Sequence, residues 1–378
     1  MTAKGMHVLW LSREDEFMRE IKGLAVALQR VGYGLTCLEP GTHPDVHIDD
    51  LIKKCPEMPF LIVHPEPWVP ILPRGLTEVR IPTVGFQCDV YAFTHRRLLY
   101  SMLFDYLPIL HPGFEKLFQD AGHSRTITLP FAADTDYFYD SDEARFYEIA
   151  SVGRLFNNLY KSRMEVLSSL SREFKMNEWH RNHNYSEVPT VYRASKIVIN
   201  VPRDDFPMDV SMRFAEAMAC GALFLTRMPS EMTALGFEEN VHFCGYRHAG
   251  EIPEIARKYL RDEEARRRIA FAGRDKVMRE HTYDARIATL LSKINQDNGV
   301  LTAPARSWPI SRVHLAYLDF FCGNAALDCA YDDLWPILKT ASPESWKALE
   351  LVARCGASRI RSRLQSLGGA SKPTPIKA

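Results

Sequence analysis

The order in which short uncharged runs and helical segments follow one another limits this chain more than any other feature. Met6–Ser12 (MHVLWLS) is an apolar run ahead of a polar loop. Phe17–Val31 follows with helical spacing at Ile21, Leu24, Ala25 and Leu28, stops at Gly32, and gives way to a strand-like Gly34–Glu39. Further buried runs stand at Phe60–His64, Thr83–Phe86 and Tyr106–Leu110. Strand, helix, strand in that order suggests a parallel sheet covered by its crossover helices. The first half is therefore predicted to be a Rossmann-like layer.

A second unit of the same kind begins at Glu148–Gly153 (EIASVG) and runs through a helix from Lys161 to about Phe174. Ile197–Asn200 (IVIN) and Ala222–Thr226 (ALFLT) read as buried strands, with a helix from Ser211 to Cys220 between them and Gly221 placed where a left-handed residue ends it. Residues 129–146 (LPFAADTDYFYDSDEARF) are polar and acidic enough to join the two halves. The expected organisation is an α/β fold of two Rossmann-like domains, 1–135 and 146–296. A helical extension with a basic tail follows at 300–378. A chain of 378 residues is too long for one comfortable core. Two such halves place a cleft at the carboxyl ends of their strands, where open sheets of this type hold ligands.

Charge and cysteine content narrow the function. Lys plus Arg equals Asp plus Glu at 47 each, so no global field recruits nucleic acid or anionic membrane, and any anion site has to be local. The 8 cysteines form no C-x-x-C pair and no zinc-type cluster, which favours reduced thiols in the cytoplasm. The N-terminal apolar run is too brief for a signal peptide, and no stretch reaches the uncharged length of a membrane span. Peripheral membrane contact stays open.

The stretch SMRFAEAMACGALFLT, residues 211–226, is built for a core yet carries Arg213 and Glu216 in its first turns. Three apart on a helix, they lie on one face. A surface ion pair is the plain reading. The apolar ACGALFLT that follows argues instead for a helix packed between sheet and cleft. Its free N–H groups and dipole would then meet an anion such as a diphosphate, and a glutamate nearly two turns in could accept both hydroxyls of a ribose.

The stretch VYRASKIVINVPRDDFPMDVSMRFAEAMACGALFLT, with PTVGFQCDVYAF, LPFAADTDYFY and SVGRLFNNLYKSR upstream and AGRDKVMREHTYDAR downstream, resembles glycosyltransferases of the CgeB-like spore-maturation type. These are relatives of the group-1 glycosyltransferases. The likeness covers roughly residues 80–295. It implies a GT-B fold, with a nucleotide sugar as donor substrate on the C-terminal domain, an unidentified acceptor, and no separate cofactor. By position, it implies that Glu216 binds the donor ribose and that Arg213 and Asn200 line the donor pocket. Arg154, Lys161 and Arg163 would supply the basic groups after the first strand of that domain. Gly153 allows close backbone approach there. The larger group-1 family carries a glutamate eight residues before the ribose-binding one; here that position is Met208, and the neighbouring Asp209 either substitutes for it or caps the helix.

Breaking an anomeric carbon–oxygen bond puts negative charge on the departing diphosphate. Fixed cations and helix-end N–H groups would stabilise that charge, with no metal required. Acid–base candidates come from the N-terminal half: Asp89, just past the run PTVGF, and His111, at the end of Tyr106–Leu110. The D-x-D at Asp134-Thr135-Asp136 falls in the linker and is set aside as a metal signature. Asp204-Asp205 is better placed but reads first as a polar loop. There is no G-x-G-x-x-G, Walker lysine loop or G-x-S-x-G. The expectation is a metal-independent glycosyltransferase of either stereochemical outcome. A GT-B nucleotide-sugar epimerase and a non-catalytic nucleotide- or sugar-binding protein are the alternatives.

Overall fold

A computed structural model of the protein describes residues 6–12, 19–39, 46–65, 72–88, 90, 94–141, 143–155, 158–204, 206 and 210–307. The first domain contains β1 (His7–Trp10), α1 (Arg19–Arg30), β2 (Gly34–Cys37), α2 (Ile48–Ile52) and β3 (Pro59–His64). It continues with β4 (Thr83–Gly85), α3 (Thr94–Ser101), β5 (Leu107–Ile109), α4 (Glu115–Asp120) and β6 (Thr126–Thr128). Four strands form a parallel sheet in the order β2-β1-β3-β4. Backbone bridges Val84–Tyr106 and Gln87–Ile109 carry it on to the β5-β6 pair. Leu24, Ala25 and Leu28 of α1 are buried, as the spacing of the helix requires.

The second domain begins with β7 (Tyr147–Ala150), α5 (Lys161–Leu170), α6 (Val188–Arg193), β8 (Ser195–Asn200) and α7 (Met212–Ala219). It continues with β9 (Leu223–Arg227), β10 (Cys244–Tyr246), α8 (Ile252–Arg261), α9 (Glu263–Glu280) and α10 (Tyr283–Gln296). Its parallel sheet has the order β10-β9-β8-β7, and a bridge from Ile149 to Met176 adds chain on the far side of β7. The strand order therefore reverses at β7. Ligands in doubly wound sheets bind beside such a reversal.

Helix α7 is buried from Phe214 through Ala219 between its sheet and α9. Gly221 ends it at φ 71°, with its N–H on the Met218 carbonyl at 2.8 Å and the Ala222 N–H on the Ala217 carbonyl at 3.2 Å. That pairing is a Schellman stop, and it needs a left-handed residue. The chain then turns directly into β9.

Helix α10, expected within the second domain, packs on α1 of the first, where Ile287, Leu290, Leu291 and Ile294 join the cluster that holds Leu24 and Leu28. The segment after it docks on the first domain as well. Asp105, 1% exposed, accepts the N–H groups of Thr302 and Ala303 at 2.8 and 2.9 Å and pairs with Arg306 at 2.7 Å. Burial pushes its carboxyl up, but the Arg306 hydrogen bonds and charge prevail and hold it below the usual carboxylate range. Of the expected extension at 300–378, residues 308–378 lie outside the described residues.

The two passages of the chain between the domains run side by side. The Ala133 N–H donates to the His281 carbonyl at 2.9 Å, and Arg286 donates to the Pro130 carbonyl at 2.8 Å and the Glu280 carbonyl at 2.9 Å. Arg286 also donates to Nδ1 of His281, which must therefore be neutral. Burial, followed by the Arg286 charge, pushes His281 down to about 3. Burial likewise pushes His123 down to about 4. Its Nε2 donates to the Phe104 carbonyl at 3.0 Å, and its Nδ1 accepts the Arg125 N–H at 3.3 Å.

Both histidines have folded values below the unfolded one, so the unfolded chain binds more protons between them. Stability is complete above about pH 6.5 and is lost as the pH falls toward 4 and 3. Each histidine is expected to cost about 2 kcal/mol by pH 5. The urea midpoint should drop between pH 7.5 and pH 5, and less so in His281→Gln than in the wild type; equal drops would remove His281 from this account.

Candidate functional site

The carboxyl ends of β7 and β8 open beside the strand reversal, and the chain shapes them with side chains. Asn177, 4% exposed, accepts the Ser151 N–H and donates to the Ser151 carbonyl, both at 3.0 Å, and so fixes the exit of β7. Asn200, 1% exposed at the end of β8, donates to Thr226 Oγ1 at 3.1 Å and accepts Arg213 Nη1 at 2.7 Å. Arg213 Nε donates to the Val152 carbonyl at 2.7 Å. Asn200 thus holds Arg213 from behind. Arg213 spans from the first turn of α7 to the end of β7.

Arg163 arrives from the other side. The buried positions of α5 are Arg163, Leu167 and Leu170, an i, i+4, i+7 stripe with a guanidinium at its head. Its Nε donates to the Val201 carbonyl at 2.7 Å and its Nη1 to the Arg154 carbonyl at 2.8 Å, and the group lies 4.6 Å from the centre of the Tyr160 ring. Burial, then the neighbouring Arg213 charge, lowers Arg163 to about 9, which leaves it cationic at neutral pH.

The two guanidiniums converge on Gly153. A Cβ there would stand 2.6 Å from Arg213 Nη2 and 3.2 Å from Arg163 Nη1. Only glycine admits both groups at this spacing. The acceptors holding them are carbonyls, one amide and one hydroxyl, and among the described residues neither arginine forms an ion pair. Arg163 is 3% exposed and Arg213 half-buried, and guanidiniums so placed without a counter-charge are costly. At the start of α7, Ser211 places no side-chain oxygen on the helix's own N–H groups. Two cations thus lie close together, and one of them reaches Ser211 at the start of α7, with Arg213 Nη1 3.4 Å from Ser211 Oγ.

Gly153, Arg163, Asn200 and Arg213 thus come together. Glu216 lies one turn further along α7 and is 1% exposed, a carboxylate among Phe214, Ala215, Ala217 and Met218. It does not point into bulk water. Arg154 and Lys161 carry exposed side chains, and Arg154 reaches the cluster through its carbonyl. Asp89, Met208 and Asp209 lie outside the described residues, as does Asp205. Asp204 accepts the Ser162 N–H at 3.1 Å and so serves the start of α5. In the linker, Asp134 accepts the Asp136 N–H at 3.2 Å and Asp136 pairs with Arg30, so the D-x-D forms a turn tied to α1.

On the facing domain His111 follows β5 and is 4% exposed. Phe131 and Phe206 stand edge-on to its ring at 5.9 and 5.4 Å, and Phe206 stacks on Phe114 at 6.2 Å. Its Nδ1 lies 3.2 Å from Glu231 Oε2, a contact from one domain to the other. The sequence reading missed Glu231, which sits in the loop after β9. It also missed Gln87, two residues past the end of β4, an amide with no exposure and, among the described residues, no hydrogen-bond partner for either side-chain atom. The polar residue ending the run PTVGFQ was the available signal.

Residues 151–292 match the model of a family described as glycosyl transferase-like. No curated protein matches the sequence. Among solved structures the chain is similar to HepE of Anabaena in complex with UDP and glucose, at 12% identity and TM-score 0.55 over 77% of this chain and 100% of that one. It is similar to sucrose-phosphate synthase from Thermosynechococcus elongatus at 11% identity and TM-score 0.54, over 78% and 99% of the two chains. A glycosyltransferase from Rickettsia africae gives 10% identity and TM-score 0.53, over 77% and 98%. At such identity the likeness is one of fold. The fold is GT-B, two Rossmann-like domains, with a glycosyltransferase-like domain at 151–292.

A buried amide that satisfies none of its hydrogen-bonding capacity costs about 1–3 kcal/mol. Gln87→Met, which keeps the length and removes the polar atoms, is expected to raise the melting temperature by a few degrees. A fall would mean that the amide is satisfied in solution.

Proposed function

We propose that the protein is a glycosyltransferase that moves a sugar from a nucleotide-diphosphate donor to an acceptor bound on the first domain. The observation that carries this reading is the convergence of Arg163 and Arg213 on Gly153 beside the N-terminus of α7. In that space the donor diphosphate would lie against both guanidiniums. Glu216, on the same helix, would take the ribose hydroxyls. The acceptor oxygen forms its bond to the anomeric carbon, and the bond to the β-phosphate oxygen breaks with its electron pair leaving on the diphosphate. His111 takes the acceptor proton where the departing phosphate does not.

The guanidiniums and helix N–H groups carry out the charge stabilisation in this proposal, so the donor needs no metal bridge. HepE, whose fold this chain shares, is described in complexes with UDP and glucose and with UDP-glucose, which supports UDP-sugars as the first donors to try. The CgeB-like subtype rests on the motifs of residues 80–295 and belongs to the same proposal. So does a cytoplasmic location; among the described residues no helix is long and apolar enough to cross a membrane.

A nucleotide that binds only the folded chain raises its melting temperature, by about 2.7 kcal/mol of stability at a hundredfold excess over Kd. UDP, GDP or dTDP is expected to give such a shift. Arg213→Ala and Arg163→Ala should weaken nucleotide binding about 30- to 100-fold, the loss of about 2–3 kcal/mol of charge-assisted hydrogen bonding. Gly153→Ala should weaken it by displacing the Arg213 guanidinium without unfolding the domain. No shift with any of the three nucleotides would remove the support for the reading. Release of a donor sugar to an acceptor, and not its return as an isomer of the donor, separates transfer from epimerisation.

The ribose assignment has its own measurement. Glu216→Gln should weaken UDP binding about 10-fold while leaving inorganic pyrophosphate binding unchanged. Equal loss for both ligands would place Glu216 in the framework of the helix and not at the ribose.

A further inference from the structure

The donor contacts proposed above do not use Glu231, yet it is a carboxylate buried where two domains meet. Its side chain is 6% exposed and that of His111 is 5% exposed. The residue opens the short helical turn Glu231–Leu235, but that turn does not need its carboxylate. Ser230 caps it, accepting the Met232 N–H at 3.1 Å. Glu231 Oε2 instead takes two donors from outside the turn, His111 Nδ1 at 3.2 Å and the Val210 N–H at 3.2 Å. Val210 immediately precedes Ser211, which begins α7. One oxygen therefore ties the candidate proton-transfer residue of the first domain to the leading end of the helix that carries Arg213.

The chemistry of that contact has a direction. An ionised carboxylate only accepts hydrogen bonds, so the ring proton of a neutral His111 must sit on Nδ1. Free imidazole favours the opposite tautomer. With the proton on Nδ1, the in-plane lone pair of the neutral ring is on Nε2. Phe131 and Phe206 pack against the ring edge-on, so it has little freedom to flip.

We infer that Glu231 is the positioning residue for His111: from the donor domain it fixes the Nδ1–H tautomer and the ring's orientation. The acceptor-side base is thus aligned only when it is docked beside the start of α7. The chemical consequence rests on the transfer reading above; the tautomer does not. In the transfer step the acceptor hydroxyl proton passes to Nε2 as its oxygen bonds to the anomeric carbon, and the carbon–oxygen electron pair leaves on the diphosphate. Glu231 keeps its charge throughout and faces the imidazolium that results.

The test is the state of the ring in the full-length protein. Long-range nitrogen–proton correlation spectra of histidine-labelled protein at pH 8, with His111→Gln to assign the signal, should show His111 as Nδ1–H. Glu231→Leu should move it to Nε2–H. Glu231→Gln, which keeps an acceptor oxygen, should leave it as Nδ1–H. With UDP-glucose as probe, nucleotide release should fall about 10- to 100-fold in kcat for Glu231→Leu with donor KM unchanged, and within a few-fold for Glu231→Gln. An Nε2–H tautomer in the wild type overturns the inference even where the leucine variant does not fold, and so does a tautomer unmoved by Glu231→Leu. Absence of a UDP-induced thermal shift would instead sink the transfer reading, with the spectra still deciding the role of Glu231.

Discussion

Two guanidinium groups held by neutral acceptors at the end of β7 are the constraint to which the second domain is built. Taking a cation out of water costs several kcal/mol unless something answers its charge. Among the described residues Arg163 and Arg213 hydrogen-bond only to carbonyls, an amide and a hydroxyl, and burial, then the Arg213 charge, lowers the tendency of Arg163 to keep its proton. The surroundings keep them in place all the same. Asn200 is fixed by Thr226 before it can hold Arg213, Asn177 clamps Ser151 on both sides of its peptide, and glycine at 153 removes the Cβ that would push the pair apart. In the proposed transfer step, groups held in place this way would not have to reorganise as negative charge develops on the diphosphate.

The first domain answers with apolar packing and one ionic contact. His111, Phe114 and Phe131 meet Phe206 and Glu231 between the domains, and the linker and the α9–α10 junction cross together, Pro130 and Ala133 bonding Arg286 and His281 on either side of Phe131. Asp105 and Arg306 then fasten the returning chain to the back of the first sheet. The domains are thus joined at a seam and touch at the site. Relative motion has to break the His111–Glu231 contact, which is where the acceptor and donor halves of the proposed chemistry meet.

Much of this was legible because it is local. The strand and helix order, the left-handed stop at Gly221 and the unusual charges of α7 are each written within a few residues. Arg163 was readable too, since Arg163, Leu167 and Leu170 fall on one stripe, but in the run YKSR its charge looked like its exposed neighbour Lys161. β6 and β10 were missed: three residues each, TIT and CGY, give no alternation to detect. Helix α10 carries the same amphipathic pattern whichever domain it covers, so its packing on α1 is decided by the partner's shape and by Arg30 meeting Asp284. The His111–Glu231 contact joins residues 120 apart in sequence. No periodicity encodes it.

The balanced charge of the chain gives the local arrangement its meaning. With 47 basic and 47 acidic residues there is no net charge to draw in an anion from a distance. Attraction has to come from charges close to the ligand, and those at Gly153 are partly buried, where salt screens them less than it does surface groups. A site of that kind discriminates by geometry: it favours an anion whose oxygens reach both guanidiniums and the helix N–H groups at once. In the proposed reading that anion is a diphosphate.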